Sequence, residues 1–165
     1  MALVYAGVGS NLGDREANIK RAIELLKENK EFDVLAASAL IETEPENVSI
    51  PQGKFLNGAL KLETELLPLE VLSRFKTVER RLGRTKPEQN APRTLDLDIL
   101  FYDDVVIPDG KTLKIPHPGI AERRFVLAPL CEIAPEFVHP RLGKTVKEML
   151  AELDHAPHPQ SPSAS

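Results

Sequence analysis

The chain predicts an α+β fold of ferredoxin-like plan: a βαββαβ antiparallel sheet with helices and C-terminal additions, layered α/β/α. Three observations carry this. Apolar runs of strand length alternate with segments of helical spacing in the order β-α-β-β-α-β. The second helical segment carries its own start and stop residues, Pro68 and Gly83. The fourth strand, "TLDLDILFYDD", sets acids on one face, which an antiparallel sheet can leave open to build a site.

Each element has its own signal. "LVYAGVGS" is an apolar strand reaching Gly9. Asp14 is placed as N-cap of "REANIKRAIELLKEN", where Ile19, Ala22, Ile23 and Leu26 fall at helical spacing. "FDVLAASALIETE" reads as one second strand, and "ENVSIPQGK" as a turn-rich loop. "FLNGALKLETE" alternates, with Leu56, Leu60 and Leu62 on one face. In "PLEVLSRFKTVERRLG", Val71, Phe75, Val78 and Leu82 form the apolar stripe. "TLDLDILFYDD" and "VVI" read as two strands turning at Asp103-Asp104, followed by a "PDG" turn and "TLKIPH". "RRFVLAPLCEIA" and "TVKEMLAEL" read as closing helices. One domain is expected over 1–154, and a disordered tail over 155–165, where His155 and His158 are solvated.

Composition narrows the function classes. A net charge of −4 argues against a general nucleic-acid binder. No apolar run approaches the roughly 20 residues of a membrane span. "MALVYAGVGS" lacks the basic start of a secretory signal, and a single cysteine, Cys131, suits a reducing cytoplasm and core packing.

Asp96 and Asp98 share one face of their strand, and Leu95, Leu97 and Ile99 take the other. Their Cα atoms lie roughly 6.7 Å apart, where two carboxylates repel by about 2.5 kcal/mol at an effective dielectric near 20. A divalent cation turns that repulsion into attraction, and two cations about 3.5–4 Å apart fit between such acids and a substrate's phosphates. A merely wet strand face is the plain alternative, although Asp is disfavoured in strands. Arg84, Lys86 and Arg93 stand just upstream, past the helix stop, in a loop with Pro87 and Pro92. Acids for divalent metal beside bases in a loop are what a triphosphate requires. Arg80 and Arg81 are accounted for as a solvated helix face.

"APRTLDLDI", "GVGSNLGD", "FLNGALKLET" and "IPHPGIAERRFVLAPLCEIAPEFVHP" together resemble the blocks of the 6-hydroxymethyl-7,8-dihydropterin pyrophosphokinases of folate synthesis. The resemblance runs from about Val4 to about Leu153. It implies transfer of the β,γ-diphosphate of ATP to the pterin's hydroxymethyl oxygen, release of AMP, two Mg²⁺ ions and a monomer. It implies metal binding by Asp96 and Asp98, and phosphate contacts by Arg84 and Arg93. Glu79, Lys86, Ile99, His117 and Arg123 fall to the nucleotide. Phe55 and Phe125 fall to an aromatic clamp on the pterin, Asn57 to its polar edge, and the Thr43 backbone beside it. Gln89, Asn90, Thr112 and Pro118 depart from residues found in relatives, which bears on adenine packing and loop closure.

The clamp and the amide also stand on residue chemistry. A flat heterocycle is well held between aromatic faces, and an amide both donates and accepts. Core packing is the plain alternative for either Phe. Two other classes stay open at the level of sequence. A polymerase-like nucleotidyltransferase also mounts D-x-D on a sheet, but its Gly-Ser helix start lies close by, whereas Gly9-Ser10 is a whole β-α-β-β-α unit away. A non-catalytic ferredoxin-like binding module would not need the arginine loop together with the aromatic pair.

Overall fold

The computed structural model describes residues 1–28, 30–44, 53–83 and 94–155. Its elements run β1 (Ala2–Ser10), α1 (Arg15–Glu28), β2 (Phe32–Ala37), β3 (Ile41–Thr43), β4 (Phe55–Thr64), α2 (Pro68–Arg81), β5 (Asp96–Tyr102), a 3-10 turn (Ile120–Glu122), α3 (Arg124–Ile133) and α4 (Val146–His155). The sheet order is β2-β4-β1-β5, with β3 also on β4, and every pairing is antiparallel. This is the expected βαββαβ plan.

Alternation along the strands sorts side chains into two cores. Val4, Ala6, Val8, Leu60, Leu62, Leu97 and Ile99 meet Ile19, Leu26, Val71 and Phe75 of α1 and α2. Tyr5, Ala59, Leu100 and Phe101 meet Leu127 and Leu130 of α3 and Met149 of α4. A register shift between Tyr5 and Ala6 against β5 lets the consecutive Leu100 and Phe101 join the same core. Cys131 is half-buried against that second core, as expected.

The helix ends follow local chemistry. Asp14 accepts the Ala17 amide through Oδ1 at 3.1 Å, the expected cap of α1. Glu70 reaches back to the Leu67 amide at 2.8 Å at the start of α2. Thr145 and Glu148 satisfy each other's backbone amides at 3.0 and 2.8 Å, a reciprocal cap for α4. Gly83 takes φ +103 just past α2, a conformation that favours glycine, and ends the helix as expected.

Three expectations need correction. The single strand over 32–44 is two strands: the Ser38 amide still donates to the Ala59 carbonyl at 2.9 Å, and beyond it the chain leaves the ladder until Ile41. The Ser38 hydroxyl accepts the Ala59 amide at 2.8 Å, and both Glu132 carboxylate oxygens accept the Ala39 amide, at 3.2 and 3.1 Å. "VVI" is not a strand; it meets "TLKIPH" in an isolated bridge, Ile107 with Ile115. At the β5 edge Glu79 takes the Leu97 amide, and "TLKIPH" reaches the strand through its last residue, the His117 amide donating to the Leu100 carbonyl. His155 closes α4 instead of beginning the tail; residues 156–165, His158 among them, lie outside the described residues.

His139 is buried against Phe101, its ring 5.4 Å away and edge-on. Its Nδ1 accepts the amides of Arg141 and Leu142 at 3.1 and 3.2 Å, which requires that nitrogen to be unprotonated. Burial, and secondarily the Arg141 charge, push its pKa down. The unfolded chain therefore binds a proton that the folded chain refuses, and stability falls as pH drops through about 6.5. We expect the melting temperature to decline on acidification over that range, and the decline to shrink in His139→Asn, whose Oδ1 keeps an acceptor. Thermal melts of both proteins against pH check this; parallel profiles would place the acid sensitivity elsewhere.

Candidate active site

The strand registers bring the sequence-predicted groups onto one face of the sheet. Asp96 pairs with Gly9, Gly9 with Asn57, and Asn57 with Ile41. One row deeper, Asp98 pairs with Gly7 and Gly7 with Ala59. Paired residues on antiparallel strands project to the same face. The acids therefore stand on the face that carries Asn57 and Phe55. α3 packs on that same face through Leu127 and Leu130 near Ala59. The two acids are half-buried and exposed respectively, while Leu97 between them is buried on the opposite face.

β1 presents Gly7 and Gly9 between the acids and Asn57, with no side chains of its own. The Leu100 side chain lies over Gly7, 3.6 Å from where its Cβ would be, so the trough centres on Gly9, with the Asp96 carboxylate on one wall. On the other wall, Phe55 Cδ1 and Asn57 Oδ1 lean over Gly9, 3.6 and 2.6 Å from where its Cβ would be. Asn57 Nδ2 donates to Thr43 Oγ1 at 2.6 Å. Phe125 opens α3 and is half-buried, with the Arg123 guanidinium 5.9 Å from its ring centre. Among the described residues, neither Phe55 nor Phe125 belongs to either core, and both are half-buried.

The β5 edge is built around Glu79. Its side chain is buried, yet Oε2 accepts the Leu97 amide at 2.8 Å, and Lys76 approaches Oε1 at 3.9 Å. The Leu97 amide thus points away from β1, and the two-residue period gives the Ile99 backbone the same outward aspect. The Ile99 side chain packs in the first core, which leaves its backbone as the part able to meet a nucleotide. His117 sits along this edge, its amide donating to Leu100 O at 3.0 Å and its Nδ1 lying 2.8 Å from Pro118 O. Arg84, Lys86 and Arg93, with Gln89 and Asn90, lie outside the described residues.

Sequence reasoning missed several supports. Arg15 holds Glu42 of β3 at 2.8 Å and the Lys54 carbonyl at 2.9 Å, tying down both sides of the 45–52 segment, itself outside the described residues. That ion pair draws the Glu42 pKa down, first through the Arg15 hydrogen bond. Glu132 and the two glycines were also missed. The signal for the glycines was there: "GVG" has the same two-residue period as "DLD".

Among the described residues, no group of three or more His, Cys, Asp or Glu is gathered for a metal. Two hard oxygen donors on an open face fit Mg²⁺, which keeps positions for waters and phosphate oxygens.

A family model described as 7,8-dihydro-6-hydroxymethylpterin-pyrophosphokinase matches residues 5–135. The chain belongs to this family. It is 44% identical over 155 residues to a 2-amino-4-hydroxy-6-hydroxymethyldihydropteridine pyrophosphokinase of Aquifex aeolicus, covering 92% of each chain. It is 40% identical to a protein of that name from Methylorubrum extorquens, covering 93% of this chain and 95% of that one. Against the folic acid synthesis protein fol1 of Schizosaccharomyces pombe it is 39% identical, with 92% of this chain matched but only 20% of that one. A crystal structure described as HPPK-DHPS in complex with substrates superposes with a TM-score of 0.74 at 14% identity, over 92% of this chain and 43% of that one. Wild-type HPPK-DHPS of Plasmodium falciparum gives 0.70 at 17%, over 92% and 44%. These structures share the fold, and the chain spans less than half of each.

Removing the Glu79 carboxylate leaves a buried strand amide without this acceptor. We expect Glu79→Ala to destabilise the fold by about 1–3 kcal/mol, and Glu79→Gln, which retains an acceptor oxygen, by less. Urea titration of the two variants checks this; equal midpoints would show that the hydrogen bond to β5 contributes nothing.

Proposed function

We propose that this chain transfers the β,γ-diphosphate of ATP to the hydroxymethyl oxygen of 6-hydroxymethyl-7,8-dihydropterin, releasing AMP, as a monomeric enzyme of folate synthesis in the cytoplasm. The observation that carries the reading is the single sheet face holding Asp96 and Asp98 across β1 from Phe55 and Asn57. Family membership supplies the reaction class.

The chain's residues divide the work. Asp96 and Asp98 would hold two Mg²⁺ ions. Bound there, Mg²⁺ supplies charge neutralisation for the phosphates and lowers the pKa of a coordinated hydroxyl. Arg84, Lys86 and Arg93 follow α2 in sequence and offset the negative charge of the triphosphate; the arginines can do so with paired hydrogen bonds. The transition state is loose, with charge spread over phosphoryl oxygens, so alignment and neutralisation matter more than a strong base. Glu79 holds the metal-bearing strand in place from the nucleotide side. The outward Ile99 backbone, His117 and Arg123 border that side. Phe55 and Phe125 stack on the two faces of the pterin ring, Asn57 meets its polar edge, and the Thr43 strand flanks it. Expelling water from the site would suppress hydrolysis of ATP.

The test is product analysis after incubation with Mg-ATP and the pterin. We expect AMP and pterin diphosphate, formed only when the pterin is present. Asp96→Ala and Asp98→Ala should each lower turnover by about a hundredfold or more while the fold survives, since each change relieves like-charge repulsion. Pyrophosphate as the product would show nucleotidyl transfer instead. Near-normal turnover by either variant would remove the acids from the chemistry.

A further inference from the structure

We infer that Gly9 and Thr43 determine recognition of the heterocycle by acting together on Asn57. Thr43 ties one end of the Asn57 amide to β3, and the missing side chain of Gly9 leaves room for the other end over the central strand. The inference rests on reading this face as a pterin pocket.

Gly9 carries no backbone requirement of its own. The glycines at positive φ are Gly13, Gly83, Gly119 and Gly143, and Gly9 is an ordinary strand residue in register with Asn57 and Asp96. What a side chain here would displace is one neighbour, the end of the Asn57 side chain. A Cβ at position 9 would lie 2.6 Å from Asn57 Oδ1, a separation real Cβ atoms do not show. The next atoms, Leu56 O at 3.5 Å and Phe55 Cδ1 at 3.6 Å, are ordinary contacts. Glycine here therefore serves the pose of Asn57.

That pose is held from the other side. Asn57 Nδ2 donates to Thr43 Oγ1 at 2.6 Å, so one of the two N–H groups of the amide is engaged within the protein and the carbonyl oxygen stands over Gly9. In this orientation the trough meets its ligand with an acceptor, across β1 from Asp96. An acceptor there suits a heterocycle that offers N–H groups along one edge, as a 2-amino-4-oxo pterin does. Thr43 is a positioning residue in this scheme: its hydroxyl acts through Asn57. A ligand that binds pays no cost of immobilising the amide, because the amide is already placed.

The experiment titrates 6-hydroxymethyl-7,8-dihydropterin, in the presence of Mg²⁺ and a non-hydrolysable ATP analogue, against wild type, Gly9→Ala, Thr43→Val, Thr43→Ser, Asn57→Ala and the Gly9→Ala/Asn57→Ala pair. Binding of the analogue alone is measured in parallel. Gly9→Ala and Thr43→Val should each weaken pterin binding about tenfold, the scale of one hydrogen bond lost in a partly buried site. Thr43→Ser should restore it, and analogue binding should stay within about twofold throughout. In the Asn57→Ala background, Gly9→Ala should cost nothing more, because the clash is gone. Wild-type affinity in Gly9→Ala or Thr43→Val overturns the inference. So does an equal cost of Gly9→Ala with and without Asn57, which would mark a structural role. In both cases wild type still binds pterin and the pocket reading stands. Wild type failing to bind pterin would overturn the pocket reading and this inference with it.

Discussion

Asp96, Gly9 and Asn57 face one another across three neighbouring antiparallel strands, and this row of backbone pairings is the constraint on which the site depends. Two strand spacings of about 4.8 Å each separate the acid from the amide, so the gap is about 9.6 Å. The gap is usable because the strand in its middle contributes no side chain. A one-residue slip of β5 against β1 would send both acids into the core beneath α1 and α2 and bring Leu97 to the surface. The buried run Leu95, Leu97 and Ile99 makes such a slip costly. The hydrophobic pattern that folds β5 is therefore also what aims its carboxylates.

The β5 edge solves a second problem. An outer strand presents amides that no neighbouring strand accepts, and a buried amide must find an acceptor. Glu79 supplies one from the last turns of α2, and the amide of His117 caps the carbonyl of Leu100 further along. The helix that leads in sequence to Arg84, Lys86 and Arg93 is thereby fastened to the strand that carries Asp96 and Asp98. On the opposite edge, Arg15 and Glu132 brace β3 and the turn before it, which keeps Thr43 beside Asn57.

Much of this was legible in the sequence, for reasons that differ by residue. The βαββαβ order follows from periodicity and stop signals, and the acid pair from the rarity of aspartate at alternate positions of an apolar strand. Leu56, Leu60 and Leu62 show their shared face through simple alternation. The break between Ala37 and Ile41 was not legible, because it is made by Glu132, some ninety residues away in the chain. The expected strand at 105–107 forms only an isolated bridge with Ile115, because local propensity does not reveal which partner the fold will offer. Glu79 was assigned through resemblance as a group facing the nucleotide; its buried bond to β5 is a tertiary fact that sequence spacing does not encode. The role of Gly9 was hidden for the opposite reason: it lies in what is absent, and shows only when Asn57 is seen leaning across it.

The most direct test of the account is a distance between the two walls of the trough. Mn²⁺ substitutes for Mg²⁺ at oxygen sites and speeds the relaxation of nearby nuclei. With the enzyme, a non-hydrolysable ATP analogue and the pterin assembled, the relaxation of the pterin hydroxymethyl protons by bound Mn²⁺ is measured by NMR. The account predicts strong relaxation of these protons, greater than that of groups at the Asn57 edge, and its loss in Asp96→Ala. Equal relaxation along the whole ligand, or relaxation undiminished in Asp96→Ala, would contradict it.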